Sequence, residues 1–133
     1  MTTKRTLGMA MVGIGVGGTE MLPAFEQMET LDLVAAADIN PTTRERFTQR
    51  YEAKAYSSIE ELCEDKEVEA VWISTPNRFH APHAIYALEH GKHVICEKPM
   101  AVTLEEAQAM RDAIKRNGVQ YVQGHSKLFD PPV

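Results

Sequence analysis

Short apolar runs alternate along the chain with longer stretches in which apolar residues recur every three or four positions. The runs fall at residues 7–12, 31–37, 70–75, 93–96 and 119–123, with a weaker one inside 51–56. Apolar runs without polar alternation suit parallel strands covered on both faces. The longer stretches carry helix signals. Pro41 directly follows Asn40, which places a proline at the first helical position behind a capping side chain and opens a helix over 41–50. Ser58-Ile59-Glu60-Glu61 has the pattern of a capping box ahead of Leu62 and Cys63. A helix over 80–90 ends at Gly91. A second capping box, Thr103-Leu104-Glu105-Glu106, opens a helix that runs to Asn117 and stops at Gly118. Leu104, Ala107, Met110, Ala113 and Ile114 form its apolar stripe. Pro23 falls inside the first expected helix, where it would clash with the carbonyl of Thr19, so a kink or a late start is expected there.

This alternation of strand and helix predicts an α/β fold with right-handed crossovers. The expected form is a Rossmann-type, doubly wound, mostly parallel sheet of six strands with helices on both faces. Residues 1–123 are expected to form one domain of this kind. Residues 124–133 close on Asp130-Pro131-Pro132-Val133, which cannot continue a central strand, and are expected to lead out of the domain.

The first strand runs into Gly13-Ile14-Gly15-Val16-Gly17-Gly18, which contains Gly-x-Gly-x-x-Gly. Between a strand and a helix this pattern has a physical use. The first glycine permits the tight turn, the second lets the backbone approach a pyrophosphate, and the third allows close packing of helix on strand. The helix N-terminus then offers unbonded N–H groups and a partial positive charge to phosphate. Asp38 stands twenty residues beyond Gly18, at the end of the second strand. A carboxylate there can accept both ribose hydroxyls of an adenosine and would repel a 2′-phosphate, so NAD is expected in preference to NADP. Arg44 and Arg46 lie nearby, inside the following helix.

Ligands of such sheets sit beyond the carboxyl ends of the strands. Ser74, Thr75 and Asn77 close the fourth run and are candidates for contact with the nicotinamide ribose, with His80 beginning the next helix over the same site. Glu97-Lys98-Pro99 closes the fifth. A lysine beside a nicotinamide can stabilise a developing alkoxide, and burial can tune it for proton transfer. A Glu–Lys surface pair before a proline turn fits the same three residues. His80, His83, His90, His93 and Cys96 lie too far apart on helix and loop to converge on a metal ion, and no metal is expected. Trp72 and Phe79 suit core packing and a cavity wall.

The chain has 133 residues, of which 44 % are hydrophobic and 25 % charged, the balance of an ordinary globular domain. Its net charge of −5 argues against a nucleic-acid surface. No apolar run is long enough to span a bilayer, so no membrane partner is expected. Two cysteines, Cys63 and Cys96, make no disulfide framework, and the expected compartment is a reducing cytoplasm.

Gly13–Gly18, Ala37-Asp38, Ser74-Thr75-Pro76-Asn77 with His80, and Gly91-Lys92-His93-Val94 with Glu97-Lys98-Pro99 stand together in one order and spacing. In these motifs the chain resembles the N-terminal domain of the glucose–fructose oxidoreductase and inositol dehydrogenase family over nearly its whole length. A finer resemblance, to 4,5-dihydrodiol phthalate dehydrogenases, rests on Met21-Leu22-Pro23-Ala24-Phe25, Val34-Ala35-Ala36-Ala37-Asp38 and Gly124-His125-Ser126 with Phe129-Asp130. The resemblance implies an NAD(P)-dependent oxidoreductase that moves hydride between a secondary alcohol, of a sugar, cyclitol or cyclic dihydrodiol, and the nicotinamide. It places Lys98 in the catalytic centre. Gly13, Ile14, Gly15, Gly17, Gly18, Asp38, Ser74, Thr75, Asn77, His80, Glu97 and Lys98 would hold the cofactor. Members carry a second domain that supplies most substrate contacts, the acid–base partner and the usual dimer contacts. That domain is not expected within these residues, which alone are expected to bind cofactor without turnover. The alternative is a non-catalytic module that binds or senses a dinucleotide. A cation at the nicotinamide end, as in Glu97-Lys98-Pro99, is more than such a module needs.

Overall fold

The computed structural model describes residues 6–15, 22, 23, 25, 27–96 and 103–123. Six strands, β1 (Leu7–Val12), β2 (Leu31–Ala37), β3 (Lys54–Tyr56), β4 (Ala70–Ile73), β5 (His93–Cys96) and β6 (Tyr121–Gln123), form one sheet in the order β3-β2-β1-β4-β5-β6. Every neighbouring pair is parallel. The chain winds outward from β1 through β2 to β3, then crosses back and winds outward through β4, β5 and β6. The order therefore reverses between β1 and β4, which is where doubly wound sheets open a ligand crevice. Val12, the last residue of β1, stands opposite Ala37 on one side and Ile73 on the other.

Alternation along β1 sends its side chains to two separate cores. Met9 and Met11 point to one face, with Ala36 and Ala70 beside them and Leu22, Phe25 and Phe47 covering them. Ala10 and Val12 point to the other, with Val71 and Ile73, under Leu62, Leu88 and Met110. Four described helices supply the covers: α1 (Pro41–Tyr51) on the methionine face, and α2 (Ile59–Cys63), α3 (His80–Glu89) and α4 (Leu104–Asn117) on the other. Both faces of β1 are thereby buried, which is why its sequence carries no polar alternation. Among the described residues no helix is long and apolar enough to cross a membrane.

The expected caps form. Asn40 Oδ1 accepts from Thr42 N at 2.9 Å and from Thr43 N at 3.3 Å. Thr103 and Glu106 make the reciprocal capping box of α4, at 3.1 and 3.3 Å. The box at α2 is only half made. Ser58 Oγ accepts from Glu61 N, but the Glu61 carboxylate takes the Ser57 hydroxyl instead of returning to the cap.

Several boundaries differ from expectation. β4 ends at Ile73, two residues before Thr75: Ser74 N makes a last rung to Val12 O at 2.8 Å, and the chain then turns through Pro76 into a 3-10 turn at Asn77–Phe79. α1 continues to Tyr51 and stops on Glu52 in the left-handed region at φ 54°, which confines β3 to Lys54–Tyr56. β6 begins at Tyr121, not at Val119, after Gly118 turns at φ 63°. Leu104, expected in the apolar stripe of α4, is 70 % exposed, whereas Met110 and Ala113 are buried. Leu22, Pro23 and Phe25 are helical, and the turn before them, where the kink was expected, lies outside the described residues. So do residues 124–133, the expected exit segment.

Gly8 marks the tightest approach on β1. A Cβ there would stand 2.0 Å from the carbonyl oxygen of Glu67, while its N–H donates to the Glu69 carboxylate at 2.8 Å. Relief requires moving backbone rather than a side chain. Gly8→Ala should therefore cost about 1–3 kcal/mol, the usual range for overpacking. The expected readout is a lower urea midpoint with an unchanged denaturant slope. An unaltered midpoint would mean that the 67–69 segment yields freely.

Candidate functional site

A cavity of about 460 Å³ opens at the carboxyl ends of β1, β2, β3 and β4. Gly13 and Gly15 form its floor, Asp38 and Ile39 one wall, and Thr75 and Phe79 the other. Its position is the point at which the strand order reverses.

The floor comes from the glycine turn. Gly13 adopts φ 88° and donates its N–H to Ala37 O at 2.8 Å. A Cβ on it would stand 2.9 Å from Thr75 Cγ2 and 3.0 Å from Ser74 O, so conformation and space both require glycine. Gly15 differs: a Cβ there would meet nothing within 4 Å. Bare backbone thus faces open volume where the motif expects a pyrophosphate, and the residues present fit a dinucleotide. The Ile14 side chain, expected at the cofactor, is buried among Met9, Met11 and Phe25 and does not line the cavity. Gly17 and Gly18 lie outside the described residues.

Asp38 closes the β2 wall. Its Oδ2 accepts from Ile14 N at 2.9 Å and its Oδ1 from Asn40 N at 2.9 Å. One carboxylate thereby fixes both the glycine turn and the start of the chain into α1. Each oxygen keeps acceptor capacity for a further donor, such as a ribose hydroxyl. Arg44, expected merely near the site, sends Nη1 back to the Asp38 carbonyl at 2.8 Å. Ile39, next in the chain, is 90 % exposed at the cavity rim.

Ser74 and Thr75 line the cavity as expected. The Asn77 backbone forms the first residue of the 3-10 turn. His80 does not line it. The ring is 2 % exposed, and its Nε2 lies 2.7 Å from the Thr75 carbonyl, to which it donates. Entry into α3 turns the side chain beneath the loop, so His80 holds Thr75 and does not cover a ligand. His83, one turn further along α3, does reach the cavity. Its Nδ1 lies 3.2 Å from Thr75 Oγ1, and its ring stacks on Phe79 at 5.5 Å and 14°. Burial pushes the His83 imidazole below its ordinary value of 6.5, against the opposing charge of Glu60.

Sequence reasoning missed His83 except as a rejected metal ligand. It also missed Ser57, Ser58, Ile59 and Glu60, which line the cavity from the start of α2. The signal was the capping box itself, since a helix that starts directly after a parallel strand starts at the ligand edge of the sheet. Among the described residues no cluster of His, Cys, Asp or Glu is placed to hold a metal ion. His90 stacks on Tyr86 at 4.1 Å, and His93 Nδ1 accepts from Gln120 N at 3.0 Å. Cys63 and Cys96 are buried thiols, and burial raises Cys63 to about 11. Trp72 packs edge-on against Phe25 at 5.5 Å. Glu97 and Lys98 lie outside the described residues.

An all-parallel sheet of this order, with a glycine turn and an acid at the reversal point, defines a dinucleotide-binding domain. Residues 7–125 match the model of the oxidoreductase family with an NAD-binding Rossmann fold, and the chain belongs to that family. It is 44 % identical over 126 residues to the 1-carboxy-3-chloro-3,4-dihydroxycyclohexa-1,5-diene dehydrogenase of Comamonas testosteroni, covering 94 % of this chain and 32 % of that protein. It is 36 % identical over 129 residues to the inositol 2-dehydrogenase of Salmonella typhimurium, covering 94 % of this chain and 38 % of the relative. An NAD-binding protein from Listeria innocua superposes with a TM-score of 0.87 at 34 % identity, over 95 % of this chain and 37 % of that one. The chain therefore spans about a third of the length of the curated relatives it matches.

The depressed His83 titration carries a stability consequence. Below 6.5 the unfolded chain binds this proton more readily than the folded one, so acidification favours unfolding. The contribution is complete above 6.5 and falls away as pH drops toward the folded value. Urea midpoints measured across this range should fall with acid in the native chain and fall less in His83→Gln. Parallel curves would remove His83 from the balance.

Proposed function

We propose that this chain is the cofactor domain of an NAD-preferring dehydrogenase that oxidises a secondary alcohol of a cyclic diol or polyol. The observation that carries this reading is the Asp38 carboxylate, held on the cavity wall next to an open glycine turn. Gly13 and Gly15 leave room for a pyrophosphate, with Gly17 and Gly18 completing the motif. Asp38 accepts the adenosine ribose hydroxyls and repels a 2′-phosphate, which favours NAD over NADP. Ser74, Thr75 and the Asn77 backbone border the path to the nicotinamide end, and His80 holds Thr75 in place.

When bound, the nicotinamide supplies the redox chemistry by accepting hydride from the substrate carbon. Lys98 lies near that carbon in this reading, beside Glu97. Its ammonium stabilises the substrate oxygen as negative charge grows there. The hydroxyl proton leaves to a base outside this chain, and the C–O single bond becomes a carbonyl. The favoured substrate is a cyclic vicinal diol, supported by the identity with the carboxylated cyclohexadiene-diol dehydrogenase and by the finer resemblance noted above. A polyol substrate is the next choice, on the strength of the inositol dehydrogenase relative. Substrate contacts and subunit pairing belong to a further domain. A reducing cytoplasm is supported by two buried thiols.

The test is a titration of the chain with NADH and separately with NADPH, followed by energy transfer from Trp72. NADH should saturate and NADPH should bind more weakly. Asp38→Ala should lower NADH affinity about tenfold or more, the scale of lost hydrogen bonds to a charged acceptor. Asp38→Asn keeps an acceptor for Ile14 N and separates that loss from a collapsed turn. Lys98→Ala should leave NADH affinity nearly unchanged, and it should abolish diol oxidation once the chain is joined to a substrate domain. Equal affinity for the two dinucleotides would overturn the role of Asp38, and turnover unaffected by Lys98→Ala would overturn that of Lys98.

A further inference from the structure

His83 stands on the cavity wall with no part in the cofactor chemistry described above. Phe79 stacks on the imidazole at 5.5 Å and fixes its plane, and the Arg78 guanidinium sits over the Phe79 ring, 4.7 Å from its centroid. Thr75 is constrained as well. His80 Nε2 donates to its carbonyl at 2.7 Å, and its methyl group fills the space that a side chain on Gly13 would need. What remains adjustable on Thr75 is the direction of its hydroxyl proton. That proton is governed by His83 Nδ1, 3.2 Å away. A neutral ring protonated on Nε2 accepts the Thr75 proton. A charged ring donates from Nδ1 to Thr75 Oγ1 instead and releases the hydroxyl proton toward the cavity.

We propose that His83 is a positioning residue for the dinucleotide: its protonation reverses the Thr75–His83 hydrogen bond and turns the Thr75 hydroxyl toward a cofactor phosphate oxygen. This rests on the reading of the cavity as the dinucleotide site. Thr75 touches the glycine turn that would hold the pyrophosphate, so its hydroxyl is close to where negative charge arrives. The charged groups around His83 frame the effect. Glu60 of α2 favours the charged ring, and His80 on its own helix opposes it. Asp38 faces the same cavity from the end of β2, and Arg78 stands behind Phe79. Arg116 of α4 pairs with Glu89 at the far end of α3. Bound phosphates add negative charge on the side of Glu60, so cofactor and proton should bind together. Thr75 thus becomes a hydrogen-bond donor to phosphate under mildly acidic conditions and an acceptor at alkaline pH.

The experiment measures NADH affinity of the chain between about pH 4.5 and pH 8.5, a window extended to the acid side of the ordinary histidine range because burial depresses His83. Native chain, His83→Gln and His83→Ala are compared, and the His83 ring protons are followed by NMR with and without NADH. The native chain should bind NADH about tenfold more tightly at the acid end, which equals a one-unit rise in the His83 titration on binding. His83→Gln retains a donor and an acceptor for Thr75, so it should bind NADH with a flat profile. His83→Ala frees the Thr75 hydroxyl from the ring, so it should bind NADH with a flat profile and no more weakly than the native chain at alkaline pH. A His83→Gln profile parallel to the native one, or a His83 titration that NADH does not move, would overturn the inference and leave the dinucleotide site standing. Absence of NADH binding in the native chain at every pH would overturn the site itself and the inference with it.

Discussion

The carboxylate of Asp38 accepts from Ile14 N with one oxygen and from Asn40 N with the other, both at 2.9 Å. Its own N–H donates to Tyr56 O at 3.0 Å, and its carbonyl receives Arg44 Nη1. Four segments therefore meet on one residue: the glycine turn after β1, the end of β3, the cap of α1 and the body of α1. Asp38 also lines the cavity, so the residue that assembles this edge of the sheet stands where the proposed ribose contact would be made. A substitution that removes the acceptors frees the glycine turn as well as the proposed ligand contact.

The parallel sheet makes that junction possible. β1 lies at the centre with both faces buried, and its last residue is flanked by the ends of β2 and β4. All three strands release their chains at the same edge. Glycine, aspartate and threonine from positions far apart in sequence thus arrive within one cavity without any long loop. The second wall depends on a different device, the 3-10 turn that carries Pro76 into α3. It brings two histidines of one helix to opposite sides of Thr75, one buried beneath its carbonyl and one at its hydroxyl.

Much of this was legible in the sequence. Apolar runs identified every strand, because strands covered on both faces have no polar alternation to confuse. Asn40, Thr103 and Gly118 marked helix ends through chemistry confined to a few neighbouring residues. Gly13, Gly15, Asp38 and Thr75 were legible because a parallel sheet puts strand ends and ligand on one edge. Contacts made at a distance were not. The chain leaves β4 after a last rung from Ser74 to Val12, and Leu104 is exposed although its spacing put it in the apolar stripe. His80 was placed over the site by its position at a helix start, but its side chain turns beneath the Thr75 carbonyl, to which it donates. Phe79 was legible as a cavity wall, but the contacts of Arg44 and His83 carry no local signal, since they arise from segments that the fold brings together.

The central claim is that NAD occupies the cavity between Asp38 and Thr75. Amide NMR spectra of the chain during addition of NAD test it most directly, because each wall has its own backbone reporters. Saturable shifts at Ile14, Gly15, Asp38, Asn40, Ser58 and Thr75, with Gly91 and Gly118 unmoved, are the predicted result. Saturable shifts that bypass Ile14, Asp38 and Thr75, or no shifts at all, would contradict it.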